Sequence, residues 1–200
     1  MNITLVQIDL VLGSRVLLQL LRNKGHNAKS LQVNIKYTEC LTPDELEIIW
    51  NYVADSDVVG LSFNTFYAPI AEKLAVFFRE NGIDCIITGG NHATALPDEV
   101  IKYSDIVVKY EAEKTLLEVL DGLNDKNKLL KIKGIVYKQN GDIFNNTAPP
   151  EIVWELDSLP FQCIDTRYIS FFNKTNTLYT PQKSDLFPHV KDSYFILTSR

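Results

Sequence analysis

Two adjacent glycines, Gly89 and Gly90, run directly into Asn91, His92 and Thr94. Without Cβ atoms at 89 and 90 a flat or bulky ligand can lie against bare backbone, and the amide, imidazole and hydroxyl beyond can orient it. A tight turn needing positive φ accounts for the glycine pair equally well, and Thr94 also suits a helix N-cap. Three more stretches carry small or polar residues at comparable places: Asp9 to Ser14 with Gly13, Phe63 to Tyr67 with Asn64 and Thr65 just after Ser62, and Lys109 to Thr115 with Glu111. These are groups that bind rather than react. No serine lies in a G-x-S-x-G elbow, and Cys40, Cys85 and Cys163 have no base nearby in the sequence to activate them. The first apolar run is followed by Gly13 alone and not by G-x-G-x-x-G, and no G-x-x-x-x-G-K-S/T loop occurs. His26, His92 and His189 lie far apart, none at metal-ligand spacing, so neither a catalytic residue nor a metal site is expected.

The elements that must position these loops follow from periodicity. From residue 1 to about 122, short β-branched runs alternate with longer segments of helical period, the pattern of stacked strand–helix units. Ile3 to Ile8 reads as a buried strand, and Val16, Leu17, Leu20 and Leu21 as the stripe of a helix ending at Gly25. A weaker strand lies near Ala28 to Val33. Thr42-Pro43-Asp44-Glu45 then predicts a capped helix carrying Leu46, Ile49, Trp50 and Val53 on one face. Asp57 to Phe63, Ile83 to Thr88 and Asp105 to Lys109 predict three more strands. The helix after the first of them carries Ile70, Leu74, Phe77 and Phe78, a short helix opens at Pro97, and a last one, carrying Leu116, Leu117 and Leu120, closes at Gly122. Right-handed crossovers make this a three-layer α/β/α sandwich on a five-stranded parallel sheet, whose ligands bind at the carboxyl ends of the strands. Those ends are the loops named above. Asp9 and Lys109 suggest a phosphoacceptor receiver, but its aspartate belongs after the third strand, where Ser62-Phe63-Asn64 stands.

Beyond residue 123 the rule changes. Asn140-Gly141 between Ile135-Val136-Tyr137 and Ile143-Phe144 predicts a small type I′ hairpin, and the proline-bearing stretch 148–193 reads as an extended strap. The expected division is therefore 1–123 as the α/β domain and 124–200 as hairpin plus linker. Tyr194 to Thr198 reads as a strand that begins a further, missing domain, the alternative being an edge strand added to the first sheet. With 20 basic and 25 acidic residues the net charge is −5, which offers no attraction for nucleic acid or anionic lipid. No apolar run reaches the length of a membrane span, and Met1 leads into Ile3 without a basic, cleavable leader, so a cytoplasmic location is expected. Three widely spaced cysteines fit reduced thiols.

The order of these pieces resembles the N-terminal cobalamin (vitamin B12)-binding domain of cobalamin-dependent radical S-adenosylmethionine (SAM) enzymes of the anaerobic cyclase and methyltransferase type. The resemblance rests on Leu12-Gly13, Gly25-His26, Val59-Gly60-Leu61-Ser62, Thr88-Gly89-Gly90-Asn91-His92-Ala93-Thr94 with Pro97, and Glu111 and Glu113 before Thr115. It extends to Ile132-Lys133-Gly134-Ile135-Val136-Tyr137 and Leu156-Asp157-Ser158-Leu159-Pro160, segments that this family places between its two domains. The resemblance implies a flavodoxin-like (Rossmann-like) fold. It also implies that Ser62, Gly89 and Gly90 lie along a groove for the nucleotide tail of cobalamin, with Gly13 and Ser14 near its mouth and the corrin over the strand ends. Asn64, Thr65, Asn91, His92 and Glu111 join them as cofactor-binding candidates.

Two departures qualify the match. Asp9 is followed by Leu10 and Val11 and not by the D-x-H-x-x-G that supplies a histidine to cobalt, so base-off cobalamin without a protein ligand is implied. Tyr110 and Ala112 stand where the family writes the glycines of Gly-Glu-Gly-Glu, and Tyr110 is expected to fill part of the space above the ring. The implied role is a non-catalytic module holding cobalamin for methyl transfer or cyclisation, with a [4Fe-4S] cluster and S-adenosylmethionine in a downstream radical SAM domain. The alternatives are a docking or substrate-covering domain that keeps the fold without the cofactor, and a flavin or nucleotide binder in the same crevice.

Overall fold

The computed structural model describes residues 1–8, 13–146, 148–151, 153, 155–175 and 177–186. Five strand–helix units come first: β1 (Asn2–Ile8), α1 (Gly13–Asn23), β2 (Asn27–Asn34), α2 (Pro43–Val53), β3 (Val58–Ser62), α3 (Ala68–Glu80), β4 (Ile86–Gly89), α4 (Asn91–Ala95), α5 (Pro97–Val100), β5 (Ile106–Val108) and α6 (Glu113–Gly122). A short α7 (Lys126–Leu129) leads to β6 (Ile135–Gln139), β7 (Asp142–Asn146), β8 (Ile169–Asn173) and β9 (Thr177–Tyr179). The helix at Thr42 forms as its sequence dictates: Thr42 Oγ1 accepts from the Glu45 N–H at 3.3 Å, and the Glu45 carboxylate accepts from the Thr42 N–H at 2.7 Å.

Among the described residues the sheet has nine strands, not five, in the order β7-β6-β5-β4-β3-β1-β2-β8-β9. Strands β1 to β5 run parallel in the flavodoxin-like order, with the switch point between β1 and β3. The hairpin predicted at Asn140-Gly141 forms, with both residues at positive φ. It is no appendage, however, because β6 pairs antiparallel with β5 and lengthens the sheet. The strap likewise contributes β8, parallel to β2, and β9 antiparallel to β8. Phe172 is buried on one face of β8 and Phe171 on the other, and burial of an aromatic side chain contributes roughly 2–3 kcal/mol, enough to draw this strand onto the edge of β2. The strand expected at Tyr194 to Thr198 lies outside the described residues.

Alternation along each strand divides the core in two. Val6, Val59, Leu61, Leu31 and Phe172 face α2 to α5, whereas Ile3, Leu5, Val58, Ile87 and Phe171 face α1, α6 and α7. Among the described residues no helix is long and apolar enough to cross a membrane.

Candidate functional site

Register builds the site on the α1 and α6 side of the sheet. Gln32, Gln7, Ser62 and Gly89 stand side by side in one transverse row at the carboxyl edge, and one pleat below come Ser30, Leu5, Gly60, Ile87 and Ile106. Gly60 and Gly89 leave bare backbone in the middle of this floor. A Cβ at Gly60 would sit 2.8 Å from Leu5 Cδ2, and at Gly89 it would meet only Val108 O, at 3.5 Å. The first turn of α1 with Ser14 and Leu17, and the start of α6 with Ala112 and Leu116, roof the floor and enclose a largely apolar slot of about 70 Å³. The slot widens at the strand ends into a mouth of about 390 Å³ whose lining includes Gly13, Ser14, Ser62, Gly90, Asn91 and Glu111.

Gly90 follows the tight-turn reading of the glycine pair. Its φ is +100°, and a Cβ there would stand 3.0 Å from Phe63 O and 3.1 Å from Ser62 Oγ. It is the turn that brings α4 close against β3. Gly60, inside the strand, uncovers the slot floor together with Gly89; a glycine mid-strand between Val59 and Leu61 is the local sequence signal for it.

The candidate residues separate into two groups. Gly13, Ser14, Ser62, Gly89, Gly90, Asn91 and Glu111 line the slot or its mouth. Asn64, Thr65 and His92 come together behind it: Asn64 Oδ1 caps the 3-10 turn at Thr65–Tyr67 by accepting from Phe66 N–H at 3.0 Å. His92 is buried, with Nδ1 3.3 Å from Thr65 Oγ1 and its ring against Phe63. Sequence position alone could not separate these, because a five-residue helix turns His92 away from Asn91 by about 100°.

A buried polar network underlies the mouth. Ser14 Oγ contacts Gln7 Oε1, Gln7 Nε2 donates to Gln32 Oε1 at 3.1 Å, and Arg15 reaches the same oxygen at 3.5 Å. Burial pushes the Arg15 guanidinium down from its ordinary value. At the opposite rim Tyr110 has φ +62°, in the left-handed region, which costs a tyrosine roughly 1–2 kcal/mol relative to glycine. Its N–H donates to Thr94 Oγ1 at 2.9 Å, its half-exposed ring lines the mouth, and Lys109 Nζ lies 5.2 Å from the ring centre. Among the described residues no three His, Cys, Asp or Glu side chains converge as metal ligands.

No family model matches the chain. By sequence it is similar to an uncharacterized methyltransferase of Pyrococcus horikoshii, 31% identical over 117 residues that make up 56% of this chain and 25% of the relative. It is also similar to the anaerobic magnesium-protoporphyrin IX monomethyl ester cyclase of a Synechocystis species (26% over 121 residues; 58% and 24%) and to the bacteriochlorophyllide d C-8(2)-methyltransferase of Chlorobaculum tepidum (34% over 71 residues; 36% and 16%). The chain thus spans a quarter or less of these relatives. Among solved structures, the cobalamin-dependent S-adenosylmethionine radical enzyme OxsB with aqua-cobalamin bound superposes with a TM-score of 0.63 at 20% identity over 83% of this chain and 24% of that one. The radical S-adenosylmethionine methyltransferase TsrM of Kitasatospora setae, with cobalamin and a [4Fe-4S] cluster bound, gives 0.59 at 17% identity over 77% and 30%. TsrM is also solved with tryptophan substrate and a SAM analog. At these identities the likeness to the solved chains is one of fold.

Proposed function

We propose that this chain is a cofactor module that holds cobalamin for a radical SAM enzyme of methyl transfer or cyclisation, and that it contributes no catalytic residue of its own. The observation that carries the reading is the slot over Gly60 and Gly89 at the switch point, apolar within and bearing the hydroxyls of Ser14 and Ser62 where it meets the mouth. That lining suits an elongated ligand with an apolar ring at its inner end and polar atoms along its length. Its volume is that of two or three waters, so the outer ends of Leu5, Leu17 and Leu116 must turn aside to admit an aromatic base.

When bound, the cofactor supplies cobalt-centred alkyl-transfer chemistry. The chain's own residues position it: Ser14 and Ser62 bond the polar atoms of its tail, the leucines exclude water from the base, and Gly13, Asn91 and Glu111 border the larger part at the mouth. That His92 supplies no ligand to the proposed base-off cofactor is supported by its geometry, since the ring faces Thr65 and Phe63 and not the mouth. The [4Fe-4S] cluster and S-adenosylmethionine would belong to a radical SAM domain downstream in the same protein.

Mixing the purified protein with hydroxocobalamin, followed by gel filtration and visible spectroscopy, tests the reading; near-stoichiometric retained corrin absorbance is expected. The narrow slot favours one rival, a docking domain that keeps the fold and binds no cofactor. Complete loss of corrin colour on the column without retention of flavin mononucleotide would favour that rival, and retention of flavin mononucleotide instead would favour a nucleotide binder.

A further inference from the structure

Tyr110 holds a backbone conformation that favours glycine, at the mouth of a ligand crevice, with a half-exposed ring. Strained residues of this kind persist when their surroundings over-determine them, and they concentrate where ligands are clamped. The surroundings here are explicit. Thr94 Oγ1, at the end of α4, holds the Tyr110 N–H at 2.9 Å, and the next β5–β6 contact, Lys109 N–H to Gly134 O at 2.8 Å, fixes the preceding residue. The ring makes a single described aromatic or cationic contact, with Lys109 Nζ at 5.2 Å, and about half of the residue's surface stays exposed where it lines the mouth.

Two further observations decide what the ring does there. Tyr110 lines the wide mouth and is absent from the lining of the inner slot, so it does not stand in the path of a ligand's tail. Lys109 beside it makes the ring part of a cation-backed aromatic surface, which suits a flat, electron-rich ligand face bearing amide groups. We infer that Tyr110 is a clamp for the planar part of the ligand at the mouth, a specificity-determining contact that this chain retains at the cost of backbone strain. The inference rests on the cobalamin reading above and adds to it a residue that contacts the ring system from the β5–α6 loop.

The test compares the native chain with Tyr110→Gly, Tyr110→Asn and Tyr110→Phe in hydroxocobalamin titrations read by the visible spectrum, alongside thermal melts without ligand. Glycine and asparagine both accept the left-handed backbone, so both variants are expected to fold and to melt higher than the native chain by about 2–4 °C. Both are expected to bind hydroxocobalamin about 3- to 10-fold more weakly, whereas Tyr110→Phe keeps the native affinity within about twofold. A tyrosine kept for stability alone would instead give lower melting points with unchanged binding, and a ring that merely obstructs would give tighter binding in Tyr110→Gly; either result overturns the clamp while leaving the cobalamin reading intact. Absence of binding by the native chain removes both together.

Discussion

Arg15, wholly buried in the first turn of α1, donates from Nη1 to the carbonyl of Leu186 at 2.6 Å across 171 residues of sequence, while its own carbonyl accepts from the Cys163 N–H at 3.0 Å. The strap is thereby fastened at two points to α1, whose Ser14, the residue before Arg15, borders the slot. Because Arg15 also reaches Gln32 Oε1, which holds Gln7, strap and slot share one polar network.

Replacing the guanidinium tests this fastening. In Arg15→Met the Leu186 carbonyl loses a buried donor, and a loss of about 2–3 kcal/mol in urea unfolding is expected. Amide exchange should rise first in residues 163–186. Unchanged exchange there would show that β8 pairing alone holds the strap.

Gly60 and Gly90, both with crowded Cβ positions, should respond in opposite ways. In Gly60→Val the new methyls meet the mobile end of Leu5 and fill the slot, so hydroxocobalamin retention should fall at least ~10-fold while stability changes by only about 1–2 kcal/mol. In Gly90→Ala the positive φ and the fixed Phe63 carbonyl at 3.0 Å leave no escape, and about 2–3 kcal/mol of stability should be lost. Gel filtration with the cofactor and urea titration separate the two outcomes.

Acid should loosen the far edge of the sheet. Burial alone would raise the Glu45 carboxyl, but the Thr42 N–H and then the Lys174 ammonium outweigh it and hold the group below the ordinary glutamate range. Lys174, in the turn between β8 and β9, donates to Glu45 Oε2 at 3.0 Å and to Cys40 O at 2.5 Å. A folded value below the unfolded one means that the contribution is complete above the unfolded value, about 4.3, and fades as pH falls through the folded one. The stability gap between the native chain and Glu45→Gln should therefore close on going from about pH 5 to about pH 3. A gap that stays constant in urea midpoints across that range would refute the assignment.

Thiol chemistry offers a simple check of the packing. Cys40 is exposed, Cys163 is buried, and burial followed by the charge of Asp105 pushes the Cys85 thiol up to about 12. Ellman's reagent at mildly alkaline pH should react with Cys40 alone in the folded chain and with all three cysteines in denaturant. Rapid labelling of Cys85 in the folded chain would contradict the docking of β4 against the loop that carries Asp105.

Much of the molecule was legible because its instructions are local. The capping box at Thr42 and Glu45, the Asn140-Gly141 turn and the apolar stripe of α3 each lie within a few residues of the structure they specify. Ile169-Ser170-Phe171-Phe172 also carried the composition of a strand, but the prolines around it made the segment read as a strap, and its partner at Ser30 to Asn34 lies far back in the chain. Nothing nearby names that partner.

The sequence by itself determined the strand–helix alternation, the sandwich, and the set of loops that meet at the carboxyl edge, since dihedral preference and facial polarity are properties of short windows. Only the tertiary structure decided that Gly60 opens the slot, that Gly90 is a turn, that His92 looks away from the mouth, and that Tyr110 takes a glycine's backbone. Each of these depends on which atoms from distant segments stand within a few ångströms, and that distance is set by register and packing between elements that no local pattern encodes.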